Sequence, residues 1–427
     1  MGKNTPPLEL RRKYMDLSRF IVQSPHTPLF PEPKLLAGQA EAAVSPWETM
    51  APKPLSQPPE RLTELVFLGG GHSHALALRE LIRQPLPRTR VTLVSATVHT
   101  PYSGMIPGLV AGHYDFKATH IDLSALCQAA GITWLQAVAT GLAPQRKQLL
   151  FADREPLSFD LLSLDTGSTP SFYGIPGAEV HTIPVKPIAG FLPRWEALIQ
   201  RALAAPEPLR LAVVGAGAAG VELTLAMEHH LSRAFAASGR EGQAPRFEMF
   251  FSSPEILCSH PPRLRRQLTK TLKRRGIVLH GNTAIAAVEA HKLVTAQGAE
   301  HPVDETFWLT QASPAPWLAK SGLTTDESGF VAVDACFRSV SHPHVYATGD
   351  VATVLPHPRE KAGVFAVRQG LPLAQNLRRA VAGDELQPYL PPHRFLSLIS
   401  LGDHSAVASY GPLSCSLGRR LIWRWKN

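Results

Sequence analysis

Cysteine is scarce in this chain of 427 residues, and the four present, Cys127, Cys258, Cys336 and Cys415, stand far apart with no C-x-x-C pair among them. That arrangement excludes a disulfide scaffold, a cysteine zinc site and a thioredoxin-like redox pair, and it fits a reducing, cytoplasmic compartment. Long hydrophobic runs are also missing. No stretch of about 18 uncharged apolar residues occurs, so no helix is expected to span a membrane. Aromatic residues make up only 7% of the chain, the basic residues are spread out with modest clusters at 263–266, 273–275 and 419–426, and no aromatic-interleaved basic stripe of the RNA-binding kind occurs. The formal charge of +9 therefore points to anionic cofactors or an anionic lipid surface, with no nucleic acid expected as a partner.

What is present is enough apolar content, 44%, to bury a large core in two or three domains. Residues 1–60 hold 11 of the 39 prolines and no sustained periodicity, which reads as a mostly disordered leader. Its segment LRRKYMDLSRFIV has the pattern of a transient helix, and its acidic residues argue against a transit peptide.

From Leu65 the pattern changes. LVFLGGGHSHALAL (65–78) gives an apolar run, a glycine turn and a helical run over 75–82, followed by the strand pattern RVTLVS (90–95). This is a βαβ unit, which favours a parallel sheet covered by helices. A second copy starts at Leu209 with LRLAVVGAGAAGVELTLAM, continues as a helix to about Phe235 and ends in FEMFFS (247–252). FDLLSLDTGSTP (159–170) lies between the copies, and GFVAVDACFRSVSHPHVYATGDVA (329–352) follows the second. The order predicts an α/β fold of two Rossmann-like dinucleotide-binding domains, the second inserted in the first, plus a short C-terminal region.

The second turn carries all three glycines that a pyrophosphate needs. Gly215 makes the tight turn, Gly217 lets the backbone approach the phosphates, and Gly220 lets helix and strand pack while the helix N-terminus faces the anion. The first turn keeps Gly69 and Gly71 but has His74 in the third position. His74 is expected to push the helix slightly or to rotate its ring outward, leaving the phosphate cradle intact. His72 and His74 read mainly as a polar helix start with local hydrogen bonds, the other reading being an imidazole beside the cofactor. A metal site recruiting His99 has no ligand set behind it, so no metal is expected. The second strands end in Ser95 and in Ser252 and Ser253, where an acid for the ribose hydroxyls is usual. Arg263, Arg265 and Arg266 lie on what reads as a solvated helix face, so NADH and NADPH stay open.

With both turns in view, residues 64–377 resemble the pyridine nucleotide-disulfide oxidoreductase superfamily, flavoproteins with two dinucleotide-binding domains. VYATGDVA is similar to the family motif in which an aspartate, here Asp350 beside Gly349, bonds the flavin ribityl chain. FDLLSLDTGS, with Gly167, resembles the A-T-G strand, with Asp165 replacing alanine. FWLTQASPAPWL (307–318) resembles a second such segment, with Gln311 in place of glycine. GGGHSH, HTPYSGMIPGLVAGHY (99–114), IPVKPIAGF (183–191) and KAGVFAVRQG (361–370) resemble a narrower group, type II NADH dehydrogenase-like flavoproteins often fused N-terminal to selenophosphate synthetase.

The resemblance implies FAD on a domain formed by 61–184 and 325–380 and NAD(P)H on 185–324, with 381–427 as a truncated interface region. It implies that Lys361 and Gln369 lie near the isoalloxazine ring, and that Glu222 is the acid beside the nicotinamide. The FAD site is expected to use Gly69, Gly71, His72, Ser95, Gly167, Gly349, Asp350 and Gln369. The chain ends at RRLIWRWKN with no kinase-like domain, as expected of a stand-alone module or of a fragment of a fusion.

The function expected is hydride transfer from NAD(P)H to FAD, then electron transfer to a small-molecule acceptor, a quinone or a selenium or sulfur compound. The alternative is a redox-sensing or docking module with little turnover, beside a selenophosphate synthetase-type partner. The basic end, with Arg419, Arg420, Trp423, Arg424 and Trp425, offers contact with a membrane surface.

Overall fold

The computed structural model describes residues 61–411, 413–415 and 423. The proline-rich leader and the basic C-terminal residues other than Trp423 lie outside the described residues.

Strand β1 (Thr63–Leu68) forms where Leu65, Val66, Phe67 and Leu68 are all 4% exposed or less. A strand covered on both faces needs such an unbroken apolar run. Helix α1 (His72–Arg83) follows, then β2 (Thr89–Ser95), β3 (Thr133–Gln136) and β4 (Leu161–Leu164). A returning strand, Val345–Ala347, completes a parallel sheet in the order returning strand, β4, β1, β2, β3.

The second unit begins with β5 (Ile183–Pro184), which already pairs into the second sheet ahead of residue 185. Then come α2 (Ile188–Ala204), β6 (Arg210–Val214), α3 (Ala218–Ala237), β7 (Arg246–Phe250), α4 (Pro262–Arg274) and β8 (Val278–His280). A meander of β9 (Ile285–Glu289), β10 (Lys292–Thr295) and β11 (Glu300–Pro302) precedes β12 (Glu305–Trp308). The parallel order is β5, β12, β6, β7, β8. The returning strand, β13, carries the chain back to the first sheet. Helix α5 (Gly363–Ala382) then packs along α1. An antiparallel sheet of β14 (Leu396–Ser400), β15 (Ala406–Tyr410) and β16 (Leu413–Cys415) ends the described chain.

Each parallel sheet has its own core. Phe67, Leu78, Leu93 and Phe337 belong to the first, and Phe191, Trp195, Phe235 and Phe307 to the second. Ile399, Leu401 and Val407 of the C-terminal sheet join the second core, so that sheet is anchored to the second unit by apolar burial. No described helix is long and apolar enough to cross a membrane.

The two glycine turns sit at the ends of β1 and β6. In the second, Gly215 has φ +117 and a methyl group there would lie 2.2 Å from Leu309 O. A methyl group at Gly220 would lie 2.2 Å from Gly215 O, so only glycine lets α3 start against the turn. Gly220→Ala should therefore destabilise the protein by about 1–3 kcal/mol. A denaturant titration checks this, and a variant as stable as wild type would show that α3 lifts from the turn without cost.

Candidate functional site

Helix α1 begins at His72, and its N-cap residue, Gly71, has no side chain to satisfy the first amides. The acceptor comes from the loop after β4. Asp165 Oδ2 accepts from Ser73 N at 3.0 Å and from His74 N at 3.3 Å. The carboxylate lies so close to the turn that a methyl group at Gly71 would be 2.2 Å from Asp165 Cγ. A helix N-terminus favours an anion there. Burial nevertheless pushes the Asp165 carboxyl up to about 7; the Asp350 charge acts in the same direction, and the amide bonds oppose both.

His74 does not rotate outward. It is fully buried, with Nδ1 2.7 Å from Gly69 O and Nε2 2.8 Å from Ser163 Oγ. A carbonyl only accepts, so Nδ1 carries the hydrogen and Nε2 accepts from the Ser163 hydroxyl. The ring also meets Phe67 edge-on at 4.8 Å. Burial drops its pKa to about 3, leaving a neutral wedge that pins the turn to β4. The expectation of local hydrogen bonding holds for Nδ1, but the ring points inward, because the partner of Nε2, Ser163, lies on β4.

His72 lies at the rim, yet its Nε2 is sealed from solvent without a hydrogen-bond partner among the described residues. Burial lowers its pKa to about 4, and the ring meets Tyr102 at 4.9 Å. Thr348 Oγ1, beside Gly349, is likewise buried without a partner.

Asp350 accepts from Lys186 Nζ at 2.6 Å and from Ser168 Oγ at 3.3 Å. Gln369, on α5, accepts from Gly349 N at 2.6 Å and so fixes the turn that carries Asp350. Gly167 has φ +73, with nothing within 4 Å of where a methyl group would stand. These residues form one cluster with Asp165, since a methyl group at Gly349 would lie 2.3 Å from Asp165 Oδ1. Ser95 stands apart in its chemistry, because its hydroxyl donates to Thr97 O within its own loop. Lys361 Nζ donates to Ala352 O at 2.5 Å and to Thr353 Oγ1 at 2.9 Å, and it lies 4.0 Å from the centre of the Phe330 ring.

At the second turn, a methyl group on Gly217 would meet nothing within 4 Å, and no side chain caps α3. Glu222, one turn into α3, reaches the C-terminal sheet, where Oε1 accepts from Ser400 N at 2.6 Å. Burial lowers the pKa of His260, with the Glu360 and Glu222 charges opposing. Gln311 Oε1 accepts from Tyr173 OH at 3.1 Å, tying the return loop to the crossover segment. Ser253 Oγ donates to Glu255 O, and Arg265 pairs with Glu255 at 2.7 Å.

The donor set fits a flavin dinucleotide at the first turn, where sealed, unpartnered His72 Nε2 and Thr348 Oγ1 flank the Asp350 loop. The uncapped, unobstructed start of α3 fits a second dinucleotide. Sequence reasoning gave no role to Lys186 and treated Asp165 only as a departure. Their signals were the replaced alanine and the lysine of IPVKP, but their partners lie far away in the chain.

The pKa shifts give stability a defined pH dependence. Asp165 holds its proton more tightly folded than unfolded, so its contribution is complete below about pH 4 and lost by about pH 7. His72 and His74 hold theirs less tightly, so their contributions are complete above pH 6.5 and shrink toward about 4 and 3. In denaturant titrations of flavin-free protein, the stability of Asp165→Asn minus that of wild type should rise from pH 4 to about 7 and then level off. A difference constant across that range would mean that Asp165 is ionised throughout.

A family model described as "Pyridine nucleotide-disulphide oxidoreductase" matches residues 63–377. The chain is 24% identical over 382 residues to the NADH dehydrogenase-like protein YutJ of Bacillus subtilis, covering 86% of this chain and 99% of that one. It is 25% identical over 388 residues to the demethylphylloquinone reductase NdbB of Synechocystis, covering 85% and 91%. Among solved structures, NDH2 of Plasmodium falciparum in complex with NADH superposes with TM-score 0.73 at 14% identity, covering 85% of this chain and 94% of that one. The sulfide:quinone oxidoreductase of Aquifex aeolicus does so with TM-score 0.69 at 18% identity, covering 85% and 89%. Family members are FAD-dependent and bind NADH or NADPH. With the match running from β1 through α5, this chain belongs to the pyridine nucleotide-disulphide oxidoreductase family.

Proposed function

We propose that the protein takes hydride from NAD(P)H at the α3 turn onto FAD at the α1 turn and passes the electrons to a quinone-class acceptor. The observation that carries this reading is the contrast between the turns. The first is lined by sealed polar groups awaiting hydrogen bonds, whereas the second presents uncapped amides with open space beside Gly217. FAD supplies the redox chemistry by accepting hydride and releasing two electrons. The chain's own residues bind, orient and adjust the site.

Asp350, held by Lys186 and Ser168, offers a carboxylate to the ribityl hydroxyls. Lys361 has its pKa lowered to about 8 by burial, with Asp326 and Asp350 opposing, so beside the ring it can hold or release a proton near neutral pH. Glu222 stands at the nicotinamide end, oriented by Ser400 N.

Disulfide reduction is disfavoured by the cysteines. The Cys127, Cys258 and Cys336 thiols are free. Burial pushes the Cys127 thiol up to about 12 and raises that of Cys336, while Cys258 Sγ bonds Glu255 O. A quinone is favoured as acceptor by the names of relatives, one a demethylphylloquinone reductase and another a sulfide-quinone reductase. The finer resemblance, to modules preceding selenophosphate synthetase, rests on the motifs alone. For membrane contact, Trp423 is turned onto His404 and Tyr114.

Purified protein should be yellow, bleach under anaerobic NADH or NADPH, and recover colour with a soluble quinone. A colourless protein, or a yellow one that no nicotinamide bleaches, would favour the sensing or docking module. Changing all four cysteines to serine should leave bleaching and quinone reoxidation intact; loss of reoxidation alone would reveal a cysteine relay. Asp350→Ala should lose about 1–3 kcal/mol of flavin binding, read from flavin retained on dilution, and equal retention would remove Asp350 from the site.

A further inference from the structure

Glu248, His280 and His301 belong to neither glycine turn, and nothing above uses them. Glu248 is on β7, His280 ends β8 and His301 is at the centre of β11. Strand alternation places Glu248 and His280 on one face of the second parallel sheet, the face that also carries Phe250. The meander packs on that face through a core containing Phe250, Leu293, Val303 and Trp308, and from it His301 returns toward the pair. One ligand atom from each of the three residues lies within 4.8 Å of the other two, and all three residues are half-buried.

We propose that Glu248, His280 and His301 form a binding site for one divalent transition-metal ion of the zinc class, which fastens the meander to the second parallel sheet.

The donor chemistry selects the class. Two imidazoles and a carboxylate suit zinc and its first-row neighbours, whereas magnesium and calcium prefer oxygen ligands throughout. The geometry agrees. Two imidazoles bound to one tetrahedral ion at about 2.0–2.1 Å have ring centres about 5 Å apart, and the His280 and His301 centres are 5.0 Å apart at 67°. Glu248 Oε2 is 2.7 Å from His280 Nε2, so the ion must part this pair by a few tenths of an ångström. Phe250 supports both rings, stacked on His280 at 4.4 Å and edge-on to His301 at 4.9 Å. His280 and Glu248 keep 23% and 29% of their side chains exposed, which leaves water room to be the fourth ligand.

Such an ion would cross-link three strands of two sheets, adding to the apolar core they share. Metal binding releases protons from its ligands, so affinity should fall as the pH is lowered.

The test uses the full chain, treated with chelator and titrated with cobalt(II) while visible absorption is followed. One equivalent should bind with the strong bands of a tetrahedral site, zinc should displace it, and flavin content should not change. Glu248→Gln and His301→Ala should each weaken binding by at least about 100-fold. If His301→Ala does not fold, Glu248→Gln decides alone, because its side chain keeps the shape and a hydrogen-bond acceptor for His280. Absence of stoichiometric cobalt binding, or binding unchanged in Glu248→Gln, would overturn the proposal and leave the cluster as a hydrogen-bonded aromatic contact.

Discussion

A carboxylate at the start of a helix organises the first dinucleotide turn. Asp165 satisfies two amides of α1 that no residue of the turn itself can reach. In doing so it fills the space beside Gly71 and Gly349, where a methyl group would lie 2.2–2.3 Å from its side chain. Three segments distant in sequence, the α1 turn, the loop after β4 and the turn after β13, therefore fit together around the Asp165 side chain only with glycines opposite it. The charge has a further consequence. A pyrophosphate brought to the same helix end adds negative charge near Asp165 and Asp350, which raises the affinity of Asp165 for its proton. On the proposed reading, flavin loading would thus be linked to proton uptake at Asp165.

The same region shows why buried histidines here behave as structure. His74 sits where glycine would let a helix lie directly on its strand, and the ring makes up for the lost contact with two hydrogen bonds across the gap. The bond that Nε2 accepts from the Ser163 hydroxyl requires the neutral ring, and burial enforces neutrality. His72 is neutral for the same reason but retains an unsatisfied Nε2. His72 and His74, two positions apart, thus differ: His74 spends both nitrogens on the fold, and His72 leaves Nε2 without a partner among the described residues.

Local pattern made much of the fold legible. The apolar run at Leu65, the glycines at 215, 217 and 220 and the repeated strand, turn and helix all act within a few residues of one another, so period and spacing reveal them. The inward turn of His74, the capping by Asp165 and the pairing of Lys186 with Asp350 depend on partners 89 to 164 positions away. No local pattern encodes them. Ser95 shows a local contact instead: its hydroxyl donates to Thr97 O two residues on, a turn contact that would compete with a role toward a ribose. The Glu248, His280 and His301 cluster was invisible because its members meet only when the meander folds back on the second sheet.

The two turns also differ in a way that matches two kinds of occupant. At the first, fixed partners surround the helix start, with His74 wedged beneath, Asp165 capping and Gln369 holding the Asp350 loop; such a preorganised, largely sealed seat favours a cofactor that stays bound. At the second, α3 begins uncapped and unobstructed at Gly217, the state expected of a seat that a nucleotide enters and leaves. Glu222 links this open seat to the rest of the molecule. Its backbone belongs to the first turns of α3, its carboxylate holds Ser400 of the C-terminal sheet, and that sheet is anchored in the second core through Ile399, Leu401 and Val407. On the proposed reading, a nucleotide that drew Glu222 toward its nicotinamide would have to compete with the Ser400 amide, so the hydrogen bond between α3 and the C-terminal sheet stands in the path of that movement.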